Sequence, residues 1–146
     1  MNTIALRFGE HFAPACGTIA AHQEVIDKIG YVWYGKMGAK ASETMLKEII
    51  ASDLPRVLLI NSGKADRYWA YIESYSYDMP SKNEFPSYYG DKLEKMNTWI
   101  KIVKFEIAPK DIMSKCKVIS SGATLGEASK HSMSPYFKIQ YDEGVE

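Results

Sequence analysis

The chain has 146 residues, a length that suits one domain built around a single core. Hydrophobic residues make up 46% and charged residues 25%, which excludes a disordered chain and indicates a globular fold. Lysine plus arginine equal aspartate plus glutamate at 18 each, so the whole chain has no positive field that would attract nucleic acid unspecifically. A contact with a polyanion therefore has to be local.

No secretory leader or membrane-spanning segment is predicted. The first residues lack the basic and apolar regions of a signal peptide, and no apolar stretch approaches the roughly 20 residues that cross a bilayer. Cys16 and Cys116 lie too far apart for a zinc motif, and two cysteines make no disulfide framework. We expect a cytoplasmic protein with no membrane contact, no metal and no other cofactor.

The beginning of the chain predicts a helix between two strands. Residues 3–8 form an apolar run suited to a strand, and residues 31–34 an aromatic and β-branched run of the same kind. Between them, apolar residues recur at helical spacing over residues 19–29. Thr18 is placed to cap the start of this helix, and Gly30 its end.

A turn and a second helix follow. Residues 35–38 have turn composition, and Ser42 is placed to cap a helix that ends near Asp53, because Pro55 disfavours helical geometry before it. Residues 56–60 then form a continuous apolar run, which is typical of a strand buried on both faces. We expect this strand at the centre of the sheet.

The longest strand candidate, residues 67–77, is predicted to form a hairpin with residues 56–60. Strict alternation would place one set of large side chains on a single face. That set contains Trp69, Tyr71, Glu73, Tyr75 and Tyr77.

The second half predicts shorter elements. Residues 79–90 have loop composition, residues 98–107 follow a strand pattern, and residues 109–114 are predicted to form a single helical turn. Two short strands are predicted at residues 118–119 and 136–141, and the small-residue segment 120–126 lies between them. The order predicts one α+β domain over residues 1–141, with a tail or linker at 142–146. Its sheet is expected to be curved and mixed or antiparallel, or a partly closed β-barrel, with flanking helices.

No catalytic motif is complete. Residues 30–36 fit the GxxxxGK spacing of a phosphate-binding loop, but Met37 stands where that loop needs serine or threonine. His11, His22 and His131 have no metal-ligand spacing, and a GxSxG elbow is absent. We therefore expect no enzymatic activity in this domain; an enzyme acting on a nucleotide or small molecule is the alternative.

Aromatic residues are frequent: ten tyrosines, five phenylalanines and three tryptophans. Rings near lysines and serine-rich loops suit a pocket for a flipped or single-stranded base, because rings stack on the base while loop donors hold phosphate. The same rings can instead fill a core. The predicted stacking residues are Trp33, Tyr34, Trp69, Tyr71, Tyr75 and Trp99, with Trp33 and Trp69 as the preferred pair.

Positive charge is concentrated in the second half. Residues 92–117 contain seven lysines against Glu94, Glu106 and Asp111, which indicates either a phosphate-contacting surface or a solvated charged face. The predicted phosphate or polar contacts are Lys36, Ser62, Lys64, Lys115, Lys117, Ser120, Ser121, Lys130 and Ser132.

Several segments resemble one family. Residues 56–63 leading into residues 68–73 are similar to the central hairpin of the PUA-like superfamily, particularly its EVE and YTH branches, and a Pro/Tyr-containing loop follows at residues 80–89. Residues 129–139 resemble the closing loop and strand of such domains. The resemblance implies a small curved sheet that recognises a methylated or otherwise modified base, in DNA or RNA, by flipping it into an aromatic pocket without catalysis.

EVE-like domains also occur as N-terminal specificity modules of McrB-type modification-dependent restriction systems. The resemblance therefore also implies a C-terminal motor domain or an associated nuclease as a partner. A protein-interaction domain is the remaining alternative, with the Tyr88 and Tyr89 loop as its contact surface, because exposed aromatic residues also anchor protein interfaces.

Overall fold

The computed structural model describes residues 1–8, 13–61, 66–132 and 134–141. Its strands are β1 (Asn2–Phe8), β2 (Val32–Met37), β3 (Arg56–Asn61), β4 (Arg67–Ser76), β5 (Met96–Ile107), β6 (Lys117–Val118) and β7 (Tyr136–Gln140). Its helices are α1 (Thr18–Ile29), α2 (Glu43–Ala51), α3 (Ile112–Lys115) and α4 (Leu125–His131), with a 3₁₀ segment at Ser87–Lys95. Within these ranges no helix is both long and apolar enough to span a membrane.

The strands form one mixed sheet in the order β2-β5-β4-β3-β1-β7-β6. Strands β1 and β3 run parallel, and the other neighbouring pairs are antiparallel. The sheet has edges at β2 and β6, so the described residues do not close it by hydrogen bonds. The predicted α+β class, with a mixed sheet and flanking helices, is confirmed.

Strand β3 is the centre of the core, as its apolar run predicts. All its residues are buried, and it pairs with β1 and β4. Val57 and Leu59 pack in the cluster that contains α1 and α2 side chains, whereas Leu58 and Ile60 pack in the cluster that contains α3 and α4 side chains. Apolar burial on both faces of the sheet therefore stabilises the fold around this strand.

The sheet curls so that its β2 edge approaches β1 and β7. Four inter-strand spacings separate β2 from β1 in the sheet order, which would place them about 19 Å apart in a flat sheet. Instead, Tyr34 of β2 and Leu6 of β1 line one cavity, and the Lys36 Nζ lies 4.9 Å from the centroid of the Tyr136 ring on β7. The curvature expected for a partly closed barrel is present, although the sheet remains open.

Local signals identified the end of α1 and the start of α2. Gly30 caps the end of α1 in the left-handed conformation, and the Ser42 side chain accepts a hydrogen bond from the Met45 amide at the start of α2. At the start of α1 the prediction is off by one residue, since Gly17 is the cap and Thr18 is the first helical residue.

The predicted turn at residues 35–38 is wrong except at Gly38. Strand β2 continues through Met37, and Gly35 and Lys36 pair with Trp99 and Thr98 of β5. Glycine is favoured here by a close approach, because a Cβ at this position would lie 2.3 Å from the Met96 Sδ, which would have to shift. Turn composition was misleading because the partner strand lies far away in the sequence.

The predicted alternation along β4 is interrupted by β-bulges. Between Ile72 and Ser74 the register with β5 shifts, which makes Glu73 an extra residue. Such an insertion changes the face that later side chains occupy. Tyr75 therefore packs in the cluster on the opposite side of the sheet from Trp69, and the predicted common face is wrong.

Helix α4 lies partly in the segment that we predict to be a small-residue connection. The Thr124 side chain caps it by accepting a hydrogen bond from the Glu127 amide at 3.3 Å, and Leu125 is buried in the core. Thr124 and Glu127 have the spacing of a capping box, so a local signal for this helix is present. The predicted tail at residues 142–146 lies outside the described residues.

Candidate functional site

A cavity of about 290 Å³ opens where β1, β2, the start of α1 and the 3₁₀ segment meet. Three tyrosines line it, Tyr34 on β2 and Tyr88 and Tyr89 on the 3₁₀ segment, and we call it the tyrosine pocket. Its other large lining side chains are apolar or basic. They are Leu6, Phe8, Met37, Met96, Arg7, Lys36 and Lys92.

The 3₁₀ segment positions two of these rings. Tyr89 is buried and stacks on Phe85 with a centroid distance of 5.7 Å and an interplanar angle of 10°, and it also contacts the buried Trp99 at 5.9 Å. Tyr88 is half-buried and stands nearly perpendicular to Tyr89, at 5.1 Å and 86°. The fixed Tyr89 ring and the more accessible Tyr88 ring together form a corner of the pocket.

A hydrogen-bond network fixes the Tyr89 hydroxyl. His22 of α1 is fully buried; its Nδ1 lies 2.7 Å from the Thr18 carbonyl oxygen and its Nε2 lies 2.5 Å from the Tyr89 hydroxyl oxygen. The Gly35 amide also donates to that hydroxyl, at 3.2 Å. Burial lowers the pKa of His22 to about 4, more than the hydrogen bond to Thr18 raises it, so the imidazole is neutral at physiological pH.

Two basic residues lie at the boundary of the pocket with β7 and the end of α4. Lys36 Nζ donates to the Met37 carbonyl at 3.1 Å and to the Ala39 carbonyl, and burial lowers its pKa. Arg7 donates through its guanidinium to the backbone carbonyls of Ser129, Ser132 and Ser134, at 2.7, 2.6 and 3.0 Å. Arg7 therefore ties the segment after α4 to the pocket. 

A second, shallower cavity of about 730 Å³ adjoins the first one, and Pro135 lines both. It lies between the segment after β6, helix α4 and β7, and we call it the serine groove. Its polar lining residues are Ser120, Ser121, Glu127, His131, Ser132, Ser134 and Lys138. Lys117 and Lys130 are exposed, and each directly precedes a residue that lines the groove. 

The predicted polar contacts fall into distinct places. Lys36 lines the tyrosine pocket, and Ser120, Ser121 and Ser132 line the serine groove. Lys115 is exposed at the end of α3. Ser62 and Lys64 lie outside the described residues.

Of the predicted stacking rings in the described chain, Tyr34 lines the tyrosine pocket, whereas the tryptophans do not. Trp69 and Trp99 are 1% and 0% exposed, and a ring covered on both faces cannot stack on a ligand, so both act as core residues. Trp33 is half-buried against the cluster of Phe85, Tyr89 and Trp99, while Trp69 lies in the cluster with α3 and α4. The structure does not bring the preferred pair Trp33 and Trp69 together.

Tyr71 and Tyr75 also lie away from the pocket. The Tyr71 hydroxyl accepts a hydrogen bond from Arg56 Nη1 at 3.2 Å, and the Arg56 guanidinium carbon lies 4.0 Å from the centroid of the Trp69 ring. Trp69 and Tyr71 of β4 therefore contact a cation that belongs to the protein. Tyr75 forms a hydrogen bond with Glu43, which lowers the pKa of that carboxyl.

Sequence reasoning missed the contributions of Tyr88, Tyr89 and His22 to the pocket. Tyr88 and Tyr89 were placed in the Pro/Tyr-containing loop and in a possible protein-contact surface, but not among the predicted stacking residues. His22 lies on the apolar side of α1, and a buried histidine needs polar partners. Its partner Tyr89 is distant in sequence, so no spacing could identify the pair.

The family model described as Pua-like matches residues 4–142, which is nearly the whole chain. No curated protein and no solved structure gave a match. Within the described ranges, no three His, Cys, Asp or Glu side chains form a group that could hold a metal ion.

Proposed function

The chain belongs to the Pua-like family, whose domains bind nucleic acids, and from this premise we propose that it holds one extruded, modified base in the tyrosine pocket. Nucleic-acid binding follows at the level of the family. The arrangement of rings and cations around the two cavities supports the finer proposal.

The convergence of Tyr34, Tyr88 and Tyr89 on one small cavity is the observation that carries the proposal. Its volume of about 290 Å³ is at the lower end of the range of about 300–1,000 Å³ for ligand pockets, which suits a single flat ring system. An extruded base loses the stacking of its neighbours and recovers about 1–3 kcal/mol from a protein ring. Tyr88 is the half-buried ring that offers a face for this purpose.

The lining also supports a modified base. Met37, Met96 and Leu6 provide apolar surface beside the rings. Burying one methyl group in such surroundings contributes about 0.8 kcal/mol, which corresponds to about a fourfold gain in affinity. A methylated base therefore gains affinity here over its unmodified counterpart.

The serine groove provides a path for the sugar-phosphate backbone next to the pocket. Hydroxyl groups of Ser120, Ser121 and Ser132 are donors that suit phosphate oxygens, and Lys117 and Lys130 add positive charge at the border of the groove. Because Pro135 lines both cavities, a nucleotide in the pocket leads directly into the groove.

The proposed role is recognition, and no covalent step is assigned to this domain. A motor domain or a nuclease acting on the bound nucleic acid is the partner that this role calls for. The exposed His131 lies 3.6 Å from Glu127 as an i,i+4 pair on α4, a geometry that stabilises a helix. 

The test is a comparison of affinities for oligonucleotides that differ at one base. DNA and RNA forms with and without a methylated base are titrated against the wild type and two variants. Tyr88→Ala is expected to weaken binding about 5- to 150-fold, the equivalent of 1–3 kcal/mol of stacking. Tyr71→Ala is the matched control: it removes another half-buried tyrosine, beside Arg56, and should leave the affinity unchanged.

Melting temperatures of all three proteins separate loss of binding from loss of folding. The proposal fails if the folded wild type binds none of the oligonucleotides, or if Tyr71→Ala weakens binding as much as Tyr88→Ala. The first outcome would favour a protein-interaction role for the Tyr88 loop.

A further inference from the structure

The protons in the network of His22, Tyr89 and Gly35 can be assigned from the chemistry of the partners. A carbonyl oxygen only accepts, so the contact between His22 Nδ1 and the Thr18 carbonyl places the imidazole proton on Nδ1. In the neutral ring Nε2 then carries a lone pair. The Tyr89 hydroxyl must donate its proton to Nε2.

The Tyr89 oxygen is consequently restricted to accepting on its other side. One acceptor position receives the Gly35 amide proton at 3.2 Å. Gly35 and Tyr89 both line the tyrosine pocket, whereas His22 lies behind the wall and is fully buried. The remaining lone pair of the hydroxyl is then the acceptor position that Tyr89, as a lining residue, can offer to a ligand in the cavity.

On the basis of the function proposed above, we propose that His22 is a positioning residue that makes Tyr89 an obligate hydrogen-bond acceptor. The pocket then selects a base that presents an amino N–H group, adenine or cytosine, over a base that presents a carbonyl oxygen. A carbonyl oxygen facing this hydroxyl would meet a lone pair and lose its own hydrogen bond to water. An exocyclic amino group would instead donate to it.

The two basic side chains Lys36 and Arg7 at this wall cannot accept a hydrogen bond from a base. Lys36 and Arg7 only donate, and both are bonded to backbone carbonyls. Contacts of the Tyr89 ring with Phe85 and Trp99 keep its hydroxyl oxygen beside His22, whose Nε2 lone pair directs the hydroxyl proton. The direction of the hydroxyl proton is therefore set by the protein before a ligand arrives.

The test uses single-stranded oligonucleotides that are identical except at one position. Three pairs exchange an amino group for a carbonyl at the same ring atom: cytosine and uracil, 5-methylcytosine and thymine, and adenine and hypoxanthine. The wild type is expected to bind the amino member of at least one pair about 10-fold more tightly. The amino base gains a hydrogen bond to Tyr89, whereas the carbonyl base loses its hydrogen bond to water.

Three variants connect the preference to the network. Tyr89→Phe removes the acceptor and should abolish the preference. His22→Phe removes the group that takes the hydroxyl proton, which frees it to point into the pocket and should abolish or invert the preference. His22→Gln can place an amide oxygen near the position of Nε2 and should retain the preference, an outcome that a purely structural role for His22 does not predict.

The outcomes separate the two proposals. If the wild type binds none of the six oligonucleotides, the proposed function fails. If it binds both members of every pair equally, or favours the carbonyl members, the function stands and the selection by Tyr89 is wrong. Melting temperatures identify any variant that does not fold; the comparison of wild type with Tyr89→Phe, which keeps the ring, then decides the role of the hydroxyl.

Discussion

Replacing Gly35 by alanine tests whether the wall of the tyrosine pocket is as tightly packed as the structure indicates. A Cβ at this position would lie 2.3 Å from Met96 Sδ and 3.0 Å from Trp99 Cζ3. Met96 is half-buried and can shift, but Trp99 is fully buried and has little room to move. The expected cost is that of an overpacked core, about 1–3 kcal/mol of unfolding free energy.

At this chain length 1 kcal/mol corresponds to about 4 °C in melting temperature, so Gly35→Ala should lower it by about 4–12 °C. Affinity for nucleic acid should fall as well, because the displaced Met96 side chain lines the same pocket. Thermal unfolding followed by circular dichroism measures the first effect, and a titration of the folded variant measures the second.

Two further variants make the result specific. In α4 a Cβ at Gly126 would meet Met113 at 3.7 Å, an ordinary contact, so Gly126→Ala should be neutral or raise the melting temperature. Adding Met96→Ala to Gly35→Ala should restore part of the lost stability, since it removes the closest clash. An unchanged melting temperature for Gly35→Ala, or no recovery in the double variant, would refute the packing described for this wall.

Two other predictions concern charge. Lys117→Ala and Lys130→Ala should each weaken binding to all sequences and reduce the slope of log K against log salt by about 0.7–0.9. Lys47→Ala on α2 is the control and should leave the slope unchanged. Equal slopes for all variants in a salt titration would exclude the serine groove as the path of the nucleic-acid backbone. Burial lowers the pKa of His22 from 6.5 to about 4, so the unfolded state binds more protons than the folded state between these pH values. The free energy of unfolding should therefore decrease by up to roughly 3 kcal/mol as the pH falls from about 6.5 to about 4. Denaturant unfolding at several pH values measures this loss, and an equal pH dependence in His22→Gln would show that His22 is not its source.

The sequence predicted those parts of the fold that depend on neighbouring residues. The apolar run at residues 57–60 identifies the central strand because burial on both faces leaves no polar position, and Ser42 identifies the start of α2 because its side chain bonds within the first turn. Residues 35–38 were misassigned because pairing with β5 overrides turn composition. Local patterns contain no information about such a partner.

The candidate site was predicted only in part, for a related reason. Large rings signal burial or binding equally well, and only packing decides between them. Trp69 extends from a strand covered on both faces and is therefore enclosed, whereas Tyr88 lies on a short segment at the rim of the pocket and stays half-buried. Composition indicated an aromatic pocket, and of the six predicted rings Tyr34 lines the tyrosine pocket.

The position of the tyrosine pocket follows from the curvature of the sheet more than from any motif. Strands β1 and β2 both supply wall residues, although three strands lie between them in the sheet order. Bulges increase the local twist and bend of a strand, and β4 and β5 contain two register shifts around Ile72, close to the middle of the connecting strands. The shift between Ile72 and Ser74 also sets which face Tyr75 occupies, so one irregularity both sorts the aromatic residues of β4 and contributes to the bend of the sheet. A sequence pattern that assumes regular alternation cannot show it.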